Sequence, residues 1–163
     1  MSMLAALMVT VAAFSAAERY GASPGHAAAT SARLLIAAKT DLFVVLWLAA
    51  AISNVARLRF FSPIDIAGSA SGPGSQNIQV AMAFLRNTLE QVCVAIPAHL
   101  ALATLYLGSP MLVPVLGGLF CVGRPLFWIG LRRGPPVRAL GFALTFYPSV
   151  GALLLCLIIL WQQ

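Results

Sequence analysis

Four runs of about twenty or more mostly apolar residues, at 34–56, 77–106, 111–131 and 139–160, constrain this chain more than anything else in it. Inside a bilayer every backbone N–H and C=O must find its partner within the protein, so runs of this length read as membrane-spanning helices. The 163 residues are 61% hydrophobic and 9% charged, which leaves too little polar surface for a soluble domain. The expected fold is an all-α integral membrane protein, a four-transmembrane-helix antiparallel bundle with an extra short N-terminal apolar segment. That segment, residues 3–17, is Ala-rich, short for a span, and lacks the basic start of a signal peptide. A short extra span, an interfacial helix and an uncleaved anchor all fit it. The chain is divided accordingly into an N-terminal apolar segment and loop (1–32) and a four-helix membrane domain (33–163).

The net charge is +6, from ten basic residues against four acidic ones. The basic side chains sit at the ends of the apolar runs, where membrane topology explains most of them, so nucleic acid is not an expected partner. Arg57 and Arg59 follow the 34–56 run; Arg132, Arg133 and Arg138 follow the 111–131 run in a short basic loop. The positive-inside rule puts both segments in the cytoplasm, where they can also attract anionic headgroups or an anionic substrate. The Gly/Ser-rich stretch 60–76 reads as a loop ordered in its first half by Phe60, Phe61 and Ile64. Pro97 is expected to kink its helix or re-route a backbone hydrogen bond. Asp41 fits either a polar partner in the bundle or the non-cytoplasmic interface, with the interface favoured, and His99 is assigned to a hydrogen bond within the bundle. The three cysteines lack any CxxC or Cys/His spacing and read as small hydrophobes, and no metal site is expected.

The 77–106 run is broken by polarity at one place, where it carries Arg86, Asn87 and Glu90. At roughly 100° per residue Glu90 lies about 40° from Arg86 and about 60° from Asn87, so the three share a face. A charged group at that depth costs several kcal/mol, and such groups tend to pair, face the bundle interior and mark a site.

Two separated stretches resemble one known family. Asn87-Thr88-Leu89-Glu90 has the N-x-x-E pattern of the second span of the MAPEG family, the membrane-associated proteins in eicosanoid and glutathione metabolism. Residues 123–138, Gly-Arg-Pro-Leu-Phe-Trp-Ile-Gly-Leu-Arg-Arg-Gly-Pro-Pro-Val-Arg, look like the third span and following loop of the same family. The resemblance covers roughly residues 34–161 and most resembles the short bacterial members. It implies four helices per subunit, a homotrimer, glutathione as co-substrate between neighbouring subunits near the cytoplasmic face, and a bacterial inner membrane. By position, Arg86, Asn87 and Glu90 resemble glutathione contacts, Arg124 and Phe127 open the third-span motif, and Arg138 matches the loop arginine that stabilises the thiolate. Ala83, Gln91, Phe127 and Leu131 stand where many members carry an Arg, an aromatic, a Tyr or His, and a Tyr.

The chemistry fits a tripeptide with two carboxylates, an ammonium and a thiol. Arginine forks bind carboxylates bidentately, Glu90 would take the ammonium, Asn87 can donate and accept, and a cation such as Arg138 would favour the nucleophilic thiolate. Two readings stay open. One is a membrane-bound glutathione-dependent transferase or peroxidase acting on lipophilic small molecules that arrive from the lipid bilayer. The other is a non-catalytic accessory subunit of a larger assembly with other membrane proteins, in which Arg86 and Glu90 neutralise each other and Asn87 and Arg124 serve packing.

Overall fold

A computed structural model describes residues 2–21, 29–66, 68, 72 and 74–162; His26 and part of the expected N-terminal loop fall outside these. Five helices follow in order: α1 (Ser2–Gly21), α2 (Thr30–Phe60), α3 (Gln76–Leu105), α4 (Leu112–Arg133) and α5 (Pro135–Trp161). All five are long and apolar enough to cross a membrane, and the protein is an integral, multi-pass membrane protein.

The N-terminal segment is longer than the 3–17 run. Ala6 clusters with Ala143 and Leu144, Phe14 approaches Gly151, and Ala17 clusters with Ala152 and Cys156. The paired numbers rise together, so α1 runs parallel to α5 along its length. Small residues on the contact let the two backbones approach, the usual way helices associate when lipid removes the hydrophobic drive between them.

α2 and α3 form an antiparallel pair joined by the 61–75 connection. The expected apolar anchors of that connection, Phe60, Phe61 and Ile64, are all at least 71% exposed. Asp65 orders it instead. Its carboxylate accepts from the Ser75 backbone N–H and from the Ser75 hydroxyl, both at 2.7 Å. Ser75 in turn caps α3 by accepting from the Ile78 N–H at 3.3 Å. A buried acid fixing a helix cap is stronger than three rings facing outward.

α3 runs unbroken through Pro97. At its far end Arg33 of α2 is buried and donates to the carbonyls of Ala103 (3.2 Å), which the helix end leaves free, of Leu102 (3.4 Å), which also accepts the Tyr106 N–H, and of Gly108 (3.5 Å) beyond the helix. Asp41 lies in the bundle rather than at the interface, as a buried partner of His99 at 2.5 Å across α2 and α3. The reason is reciprocal: His99 is 1% exposed and needs a polar partner, and a carboxylate on the facing helix supplies it. His99 is thus hydrogen-bonded within the bundle, as expected.

The expected basic loop 132–138 shrinks to one residue. Gly134, at φ 120°, ends α4, and Pro135 opens α5 at a position where its missing N–H costs nothing. Arg138 therefore sits on the first turn of α5. Packing of α4 on α5 is correspondingly close. A Cβ at Gly130 would meet the Arg138 backbone N at 2.2 Å, and one at Gly141 would meet the Phe127 backbone N at 2.2 Å.

The Ser75 backbone N–H, then the Ser75 hydroxyl, hold the Asp65 carboxyl below its ordinary 3.8. A depressed acid stabilises the fold above its unfolded pKa and loses that contribution as pH falls through the folded value. The melting temperature of the parent in detergent should therefore fall more steeply below pH 3.8 than that of Asp65→Asn, which lacks this titration.

Candidate functional site

Arg124 is the largest fully buried side chain, and it stands at the junction of three helices. From α4 its Nη1 donates to Asn87 Oδ1 of α3 at 3.0 Å, and its Nη2 donates to Thr145 Oγ1 of α5 at 2.7 Å. The Thr145 hydroxyl in turn donates a hydrogen bond to the Phe142 carbonyl at 2.9 Å. The guanidinium carbon lies 5.1 Å from the Phe127 ring centroid and 5.4 Å from that of Phe120. These rings stand three residues after and four before Arg124, one turn away on the same helix face. A central arginine in a span costs about 2.5–3.5 kcal/mol, and a desolvated cation–π contact returns about 2. Among the described residues no carboxylate pairs with it, and its Nε is buried without a partner.

The aromatic layer continues from this cation. Phe127 stacks on Phe84 (6.4 Å), and Phe84 stacks on Trp128 (4.8 Å). The close α4–α5 approach at Gly123, Gly130 and Gly141 brings Thr145 within reach of Arg124. A larger side chain at Gly141 would drive the helices apart there.

The polar triplet of α3 is split. The inward stripe of that helix runs through Ala81, Phe84, Thr88, Gln91 and Ala95. Asn87 is about 60° from Phe84 and about 40° from Gln91, on the inward edge, where it meets Arg124. Arg86 is about 160° from Phe84 and points away from the bundle. Glu90 lies beside it, and the two pair at 3.4 Å with side chains 85% and 57% exposed. The expectation that all three face the interior holds for Asn87 alone. Arg138 is exposed on the first turn of α5, and no hydrogen bond or ion pair among the described residues joins it to the others. The single chain therefore unites Asn87, Arg124 and Phe127, but not Arg86, Glu90 or Arg138 with them.

Sequence reasoning misses Thr145 altogether and takes the neighbouring Gln91 only as a departure from the family pattern. Thr145 is a single hydroxyl in a charge-free span and has no spacing that marks it. Gln91 is buried with its Oε1 unpartnered, one turn beyond Asn87 on the same face. That i, i+4 relation to Asn87 was the available signal.

A model of the MAPEG family matches residues 38–158, from Ala38 in α2 to Ile158 in α5. The chain belongs to the MAPEG family. α1 precedes the matched segment, so the four matched helices are α2 to α5 and the Asn87–Arg124–Thr145 junction lies among them. No curated protein and no solved structure matches the chain. The family relation carries membrane residence and a connection to glutathione chemistry at the level of the MAPEG proteins as a group.

If Arg124 pins the three helices through Asn87, replacing Asn87 alone strands a buried cation, whereas removing both relieves it. Asn87→Leu should lower stability by about 2 kcal/mol, and Asn87→Leu with Arg124→Met by less than the sum of the single changes. Thermal unfolding of the four proteins in one detergent measures this coupling.

Proposed function

We propose that this MAPEG protein is a glutathione-dependent transferase or peroxidase acting on lipophilic electrophiles, working as a homotrimer with its site between copies. The observation that carries this reading is the outward Arg86–Glu90 pair. At 1.5 Å per residue Arg86 and Glu90 lie about 15 and 21 Å along α3, at membrane depth. Lipid is a poor neighbour for two ions, and a neighbouring copy of the chain supplies protein cover. A seam between copies would give a tripeptide room beside this pair.

In that seam Glu90 takes the glutathione ammonium and Arg86 a carboxylate. Asn87 offers its amide N–H groups, since its oxygen is held by Arg124. Arg124 and Phe127, both buried, position Asn87 from behind. Arg138, exposed at the basic end, is the residue assigned to the thiolate, contributed by a neighbour. The thiolate sulfur forms the new bond to an electrophilic carbon while the leaving group departs with its electron pair. With a hydroperoxide, two glutathiones give the disulfide, the alcohol and water. The same reading places the basic end in the cytoplasm, α1 as a fifth span with its N-terminus on that side, and the protein in a bacterial inner membrane.

A non-catalytic accessory role is favoured by a different observation. Phe127 and Leu131 offer no hydroxyl, and both are packed into the Phe84 cluster. On that reading stoichiometric co-purification with other membrane proteins replaces turnover.

Calorimetry of glutathione binding to the detergent-purified protein separates the two. The proposed function predicts micromolar-to-millimolar affinity, weakened about tenfold by Glu90→Gln and by Arg138→Ala. No binding by the parent, with no glutathione-dependent turnover across a broad electrophile panel, would overturn it.

A further inference from the structure

At the basic end of the molecule a cleft of about 240 Å³ opens between α2, α3 and α4. Its rim carries Arg57, Arg132, Asn54 and Asn77, and its floor includes Leu58 and Trp128. Arg57 Nη2 donates to Asn54 Oδ1 at 3.1 Å, and Arg132 Nη2 donates to Asn77 Oδ1 at 3.3 Å. Both amide oxygens thereby accept one bond. Beside one spare lone pair on each amide oxygen, the polar side chains offer the cleft donors, namely two asparagine NH₂ groups and the other guanidinium N–H groups. None of the described lining residues is acidic. Asn77 is the second residue of α3, so the positive end of that helix adds to the field. Asn77 also lies ten residues, about 15 Å, from Asn87, so the polar rim is separate from the Arg124 junction, while the Trp128 floor abuts its aromatic layer.

We propose that the cleft binds a net-anionic phosphate ester: the phosphate between Arg57 and Arg132, and the rest of the molecule over the Trp128 floor. Two guanidinium forks held apart by their asparagines match phosphate oxygens on different edges. The apolar floor and the position at the end of the membrane helices suit an anionic phospholipid whose chains turn into the bilayer. A soluble phosphate ester has the same head chemistry without the chains. The proposal is independent of the glutathione reading, since it uses none of that site's residues.

The test is calorimetry on the full chain in non-ionic detergent, with dihexanoyl phosphatidylglycerol, dihexanoyl phosphatidylcholine and glycerol 3-phosphate as probes. Phosphatidylglycerol should bind well above phosphatidylcholine. R57Q/R132Q should weaken it about a hundredfold, about tenfold for each charge-assisted contact. R57K/R132K keeps the charge but not the fork and should lose about tenfold. R133Q removes the neighbouring exposed cation and should change nothing. Glycerol 3-phosphate binding as tightly as phosphatidylglycerol, with the same losses, sustains the phosphate site and assigns it to a soluble ester. Phosphatidylcholine binding equally well, R133Q weakening binding as much as R132Q, or parent-like affinity in both double variants would each overturn the proposal.

Discussion

A buried guanidinium with no carboxylate partner among the described residues organises this membrane protein. Arg124 draws one neutral oxygen from α3 and one from α5, and its own helix supplies a ring on either side. Neutral partners satisfy two of its edges without cancelling its charge, so the arrangement depends on three helices keeping their positions together. Glycines make that possible. Gly123, Gly130 and Gly141 let α4 and α5 close until Thr145 reaches the cation, and the one-residue turn at Gly134 holds the start of α5 against the end of α4.

This junction also decides what α3 shows to the outside. With Asn87 on the inward edge, Glu90 and Arg86 lie about 60° and 100° further round α3, on its outward side. The chain thus has a cationic polar junction within and an ion pair on its surface. On the proposed reading the ion pair is half of a site whose other half is the basic start of α5 on a neighbour, and Arg124 serves that site indirectly, by fixing the amide at its back wall.

Much of the fold was legible in the sequence because hydrocarbon permits so few alternatives. The apolar runs located α2 to α5 to within a few residues, and the family pattern around Asn87 and Arg124 agrees with the matched segment. What was not legible depended on distance in three dimensions. The length of α1 was underread because Glu18 and Arg19 looked like a terminus, whereas the helix continues to Gly21. Asp41 was assigned to an interface because its partner His99 stands fifty-eight residues away. The basic loop disappeared because Gly134 and Pro135 end one helix and begin the next with nothing between them. The triplet was given one direction because angular spacing alone does not say which edge of a shared face turns inward; Phe84, Thr88 and Gln91 decide that.

The proposed glutathione site belongs to two copies of the chain, which mixed oligomers can test. Glu90→Gln and Arg138→Ala each disable one side of such a seam. Co-expressed with separate affinity tags and purified by both, they should regain measurable glutathione binding, since some seams then pair an intact Glu90 with an intact Arg138 from the neighbour. Mixed oligomers that bind no better than either variant alone, while the parent binds, would place both residues in one protomer's site or outside it, and would contradict the account.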